Sequence, residues 1–231
     1  MQDQTRLLAA LVAVLALAVA PARADEPRST VGLRLGVAQP TGTTLGSSAW
    51  RAGPAITLVS TRALAPWLEL EAAAGWGRSA LPTVTALVLP LGTTSGPLVT
   101  VTDRASLDLV PLTAGARLRW PSGAVQPYLV GSGGLLFARN QHTGSAVQGW
   151  GPTVRAGAGV DWDRGERLIL GLEGAWGWGH ADLRPVGGSS APVAESRMAR
   201  AGPLRTGGLQ LQASLGWRLQ PPQRTPSASP A

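Results

Sequence analysis

Nine charged side chains sit at alternate positions in otherwise apolar stretches. Arg34, Arg117, Arg119, Arg155 and Arg218 occupy the polar side of their stretches, as do Glu69, Glu71, Asp161 and Glu173. Charges drawn together away from water must be paired and hydrogen-bonded. Two chemistries fit such a set: a gated ion or proton path, or a static network of ion pairs filling a narrow interior. The second is the expectation, because the interior of an eight-stranded barrel is just wide enough for side chains to fill.

Covalent catalysis would need a nucleophile with a positioned base. The chain has two histidines and no cysteine. His142 lies beside Gln141 and Thr143, and His180 ends an apolar stretch. Neither stands in a His-x-Ser arrangement, and Ser189 and Ser190 have no evident partner, so no catalytic residue is assigned. Lone histidines without carboxylates at ligand spacing give no metal site. The Gly-rich run 131–134 lacks the lysine of a phosphate loop. No cofactor is expected.

The elements that would position the charges show period-two alternation. In residues 208–219, Leu209, Leu211, Ala213, Leu215, Trp217 and Leu219 alternate with Gln210, Gln212, Ser214, Gly216 and Arg218. A helix would mix the two sets on one face, so this is a strand. It exceeds the ~9–11 residues a tilted strand needs to cross a bilayer. The same alternation marks 31–38, 54–61, 68–77, 109–120, 153–162 and 168–178. Residues 126–139 are apolar on both sides, and their facing is left open.

These eight strands are joined by links that alternate between tight and long, as in barrels with short periplasmic turns and long outer loops. Residues 83–91 and 97–102, around a turn at 92–96, form an uncharged hairpin placed above the membrane. A ten-stranded barrel using both of its arms is the alternative. Residues 140–148 and 181–205 are assigned to outer loops.

Tryptophan placement is a separate cue. Trp67, Trp120, Trp162 and Trp217 fall at periplasmic strand ends, and Trp50, Trp76, Trp150, Trp176 and Trp178 at or near outer ends. Rings at the two headgroup levels make aromatic girdles. A soluble barrel with its apolar side inward shows the same alternation. However, charged residues are 14% of the chain, against about 25–35% on a soluble surface. The polar sides are rich in Gly, Ala, Ser and Thr, which suits a narrow filled interior. The net charge of +7 comes from singly spaced arginines, which excludes a nucleic-acid patch.

At the amino end, Arg6, the apolar run 7–20 and Ala22-Arg23-Ala24 form a cleavable secretory signal, 1–24. The expected fold is an all-β, eight-stranded antiparallel up-and-down transmembrane β-barrel over 25–219, with a Pro/Ser-rich tail at 220–231. The text Val110-Pro111-Leu112-Thr113-Ala114-Gly115, followed by Gln126-Pro127-Tyr128-Leu129, resembles the small eight-stranded outer-membrane barrels of OmpA, OmpX and OmpW type. That resemblance implies insertion by the outer-membrane assembly machinery of a Gram-negative-type bacterium. It departs in ending at Leu219 with a tail beyond, where such chains often end on an aromatic.

A non-catalytic barrel with a plugged interior follows, with loops 79–103 and 181–205 making its contacts. A carrier or narrow channel for small hydrophobic solutes is the alternative; a lipid-modifying enzyme is the second. Expected partners are outer-membrane lipid and lipopolysaccharide; for Arg184, Arg197, Arg200 and Arg205 against Asp182 and Glu195 a solvated loop is the expectation, and contact with lipopolysaccharide phosphates the alternative. The apolar hairpin 83–102 would either serve a surface protein or pack its arms on each other and onto the rim.

Overall fold

The computed structural model describes residues 29–41, 50–80, 84–88, 99–103, 105–120, 123–142, 145–164, 167–186 and 202–219. The signal at 1–24, the tail at 220–231, Ser189, Ser190, Glu195, Arg197, Arg200 and the side chain of His142 lie outside the described residues.

The strands are β1 (Ser29–Thr41), β2 (Gly53–Ala65), β3 (Leu68–Ala80), β4 (Val84–Val88), β5 (Val99–Asp103), β6 (Ser106–Arg119), β7 (Val125–His142), β8 (Ser145–Arg164), β9 (Leu168–Pro185) and β10 (Gly202–Leu219). Eight of them close an antiparallel barrel in the order β1-β10-β9-β8-β7-β6-β3-β2, while β4 and β5 pair only with each other. The eight-stranded expectation holds and the ten-stranded alternative does not.

The register sets the tilt. One row of paired residues runs from Leu68 through Leu118, Leu129, Ala158, Gly174, Leu211 and Val37 to Pro54 on β2. Leu68 itself pairs with Ala65 of β2, so the row returns eleven positions away (65 − 54 = 11). Such a stagger requires strands inclined at about 35–45° to the barrel axis. A row that starts beside the β2–β3 turn therefore climbs to the opposite rim.

Side-chain facing follows the alternation. Leu35, Leu172 and Leu211 are more than half exposed on the outer wall, whereas Arg34 and Glu71 are 1% and 2% exposed inside. A wall of exposed leucine and valine around a charged interior inverts the arrangement of a water-soluble barrel. Hydrocarbon is the medium that suits such a wall.

On β7, Tyr128, Val130, Leu136 and Ala138 are buried while Leu129 and Leu135 are exposed, so its even positions face inward. This settles the facing of residues 126–139. The turn from β6 to β7 contains Gly123 at φ +76°, a left-handed conformation that glycine adopts without strain.

Two sequence expectations are corrected. Residues 140–148 are not a loop: β7 and β8 stay paired up to His142 and Ser145. Likewise β9 runs to Pro185 and β10 begins at Gly202, taking both ends of the expected 181–205 loop into the wall. Polar residues there read as loop, but in strands standing clear of lipid the outward positions can be polar. Trp50 is the second correction. It is 2% exposed and packs inside the outer end of the barrel with Leu107, Val147, Leu183 and Leu204, instead of joining an outer girdle. Water outside that end makes the inward side the apolar one there.

Candidate functional site

Inward positions of six strands bring the sequence-identified charges together. Arg34 of β1 lies 2.8 Å from Glu71 of β3 and 3.2 Å from Glu173 of β9. Arg117 of β6 lies 2.9 Å from both Glu71 and Asp161. Arg119 bridges Glu69 at 3.1 Å and Asp161 at 3.0 Å. Arg155 of β8 approaches Glu71 at 3.4 Å and also pairs with Glu173. Arg218 of β10 pairs with Asp163, nearer the periplasmic mouth. Eight of the nine predicted charges therefore belong to one set of ion pairs, with Glu71 between three arginines, and Arg218 stands in a separate pair with Asp163.

Three members were not singled out from sequence. Tyr128 donates a hydrogen bond to Glu173 at 2.9 Å, and the Arg117 guanidinium lies 4.0 Å from the centre of its ring. Asp163 takes Arg218 and also accepts from Gln126 at 3.1 Å. A signal for Tyr128 was present: it is the chain's single tyrosine, and a phenol within a membrane strand needs a partner that lipid cannot supply. Asp163 was read as part of a turn, and only its pairing with Ile169 of β9 and its contacts with Arg218 and Gln126 show it two positions below Asp161 on the same inner side.

The network needs room, which glycine supplies at Gly159: a Cβ there would meet the Tyr128 ring and hydroxyl. With Arg34, Arg117, Glu69, Glu71, Asp161 and Glu173 all buried, arginines and carboxylates among the described residues occupy the lower interior in equal numbers, five of each. Each charge has at least one opposite partner, which low-dielectric surroundings require.

Above the ion pairs Gln212 donates to Thr57 at 3.0 Å. Higher still is a chamber of about 80 Å³ lined by residues including Thr57, Ser79, Leu136, Thr153, Thr206 and Gln210. The apolar cluster around Trp50 and Leu107 fills the outer end.

On the outer wall Trp67, Trp76, Trp120, Trp150, Trp176, Trp178 and Trp217 are exposed, and Trp162 is half-buried. Trp176 and Trp178 meet edge to face with ring centres 6.1 Å apart. His180 faces outward 3.3 Å from Asp182. Among the described residues no group of three or more His, Asp or Glu is placed to hold a metal ion.

No family model matches the chain, and no curated protein matches it. Solved structures do. Neisserial surface protein A is 12% identical with a TM-score of 0.52, over 83% of this chain and 97% of that one. OprG from Pseudomonas aeruginosa is 13% identical with a TM-score of 0.48, over 84% and 97%. These neighbours are small eight-stranded outer-membrane barrels, and the likeness to the first shows that this chain shares their fold.

Proposed function

We propose that the chain is a non-catalytic integral outer-membrane protein, exported through the secretory pathway, whose barrel is closed to ions and whose outer end makes its contacts. The observation that carries this reading is the filled interior. Five arginines and five carboxylates pair across the lower lumen, and the apolar cluster occupies the outer end. Moving such paired charges aside would leave each of them uncompensated in a low-dielectric space. The exposed tryptophans serve as interfacial anchors in this reading.

The hairpin β4–β5 is paired only with itself among the described strands, and open strand edges accept a partner's strand. It is assigned the protein contact, so removing residues 83–102 should abolish partner binding without unfolding the barrel. The reading is tested by refolding the full chain into planar bilayers. It expects a heat-modifiable band on gels together with traces lacking stepwise conductance; sustained single-channel steps refute the closed lumen. One observation favours a second reading, a carrier of small hydrophobic solutes: the chamber beneath the apolar cluster. Saturable uptake of such a solute into protein-bearing vesicles would select it.

A further inference from the structure

Outward-facing residues above the apolar band form one unbroken row. Arg78 of β3 pairs with Asp108 of β6, Asp108 with Arg139 of β7, Arg139 with Gln148 of β8, and Gln148 with Arg184 of β9. Their inward neighbours Ser79, Leu107, Asn140, Val147 and Leu183 are all buried, so the five row members share the outer face. Adjacent strands lie about 4.8 Å apart, which puts the arginines on alternate steps of roughly 10 Å along a ridge of about 19 Å.

Directly below on β3, β6, β7 and β8 stand Trp76, Val110, Phe137 and Trp150, while on β9 Asp182, ion-paired to His180, stands below Arg184. Trp76 and Trp150 are 38% and 68% exposed. On β3, β6, β7 and β8 the ridge therefore begins where the apolar wall ends. Because paired rows climb from β3 toward β9, Arg78 lies two residues above Trp76, whereas Arg184 lies six residues above Trp178.

We propose that this ridge binds the phosphates of an outer-leaflet glycolipid. Three features point to that class. Guanidinium groups match phosphate oxygens bidentately, and at the edge of the hydrocarbon they interact in reduced dielectric. Their repeat suits a headgroup with more than one phosphate. The oblique climb carries the ridge upward by on the order of 12 Å at a 40° tilt, deeper than one phospholipid headgroup layer.

The acidic member does not cancel the ridge. Asp108 is 3.7 Å from Arg78, whose side chain remains half exposed. Arg139 is held by Gln141, whose amide oxygen accepts from it at 3.0 Å. Arg184 is exposed and has no ion pair among the described residues. This inference rests on the membrane-embedded reading and names the lipid that the same outer end would contact.

The test uses the full chain refolded in vesicles containing bis-phosphorylated lipid A, its dephosphorylated form, or phosphatidylglycerol alone. Lipid retained through detergent extraction is counted by native mass spectrometry. The proposal expects at least tenfold more retention of phosphorylated than of dephosphorylated lipid A, and loss of that excess in the R78Q/R139Q/R184Q variant. Arg164→Gln, at the opposite rim, should leave it unchanged. Equal retention of the two glycolipids overturns the proposal, as does equal retention of phosphatidylglycerol or an unaffected triple variant. The wild-type comparison stands even if the triple variant fails to fold. A heat-modifiability gel on each sample tests barrel insertion separately, so a failed ridge is distinguishable from a failed membrane reading.

Discussion

Replacing Glu71 with Gln removes one negative charge while keeping the side chain's shape. Glu71 accepts from Arg34 at 2.8 and 3.2 Å, from Arg117 at 2.9 and 3.3 Å, and from Arg155 at 3.4 Å. The amide would turn donors toward donors on at least one side. Arg34, Arg117, Arg119 and Arg155 would then face only Glu69, Asp161 and Glu173. Breaking a buried ion pair in this way costs about 3–5 kcal/mol, because an uncompensated charge stays behind. An exposed pair such as Arg78 and Asp108 contributes only about 0–1 kcal/mol. The two classes are thus separable in one experiment.

The assay is urea unfolding in lipid vesicles followed by tryptophan fluorescence. Glu71→Gln should lose about 3–5 kcal/mol at low and high salt alike, since buried pairs are little screened. Removing both partners, as Arg34→Met with Glu71→Leu, restores equal numbers of opposite charges and should recover most of that loss. A Glu71→Gln loss under about 1 kcal/mol would refute the argument, as would a double variant no better than the single one.

Tyr128→Phe deletes the hydrogen bond to Glu173 and should cost about 1.5–3 kcal/mol in the same titration, the range for bonds to charged groups. Gly159→Val places a side chain against both the Tyr128 ring and the Leu172 carbonyl oxygen; it should lose at least as much, and in a Tyr128→Ala background the loss should shrink without vanishing, which a double-mutant cycle would show. Trp50→Ala empties the centre of the outer apolar cluster and should cost about 3–5 kcal/mol. Proteolysis should then begin in the outer half of the barrel while the heat-modifiable shift persists.

The barrel was legible because lipid imposes a strict alternation: each outward position in 68–77, 153–162 or 208–219 had to be apolar. Charges inside that span, such as Arg34 and Glu71, stood out against it for the same reason. Beyond the lipid the rule lapses. Arg139, Gln141, Gln148 and Arg184 are outward residues of continuing strands, but their polarity reads as loop. Trp50 shows the same reversal, since an aromatic near a strand end belongs outside in lipid and inside in water. On β7, apolar residues occur on both sides because Leu129 faces lipid while Val130 and Leu136 pack inside. Only pairing with β6 and β8 resolves that ambiguity. Which carboxylate meets which arginine was likewise out of reach, because it depends on barrel stagger and not on spacing along the chain.

The chain lacks cysteine, so a single spin label can be attached to Leu172→Cys in protein refolded into vesicles. Leu172 is 54% exposed on the outward face of β9, between the tryptophans of one rim and the turn of the other. Power saturation should show relaxation by oxygen, which concentrates in hydrocarbon, and none by a water-soluble nickel chelate. Relaxation by the chelate would place that wall in water and contradict the account.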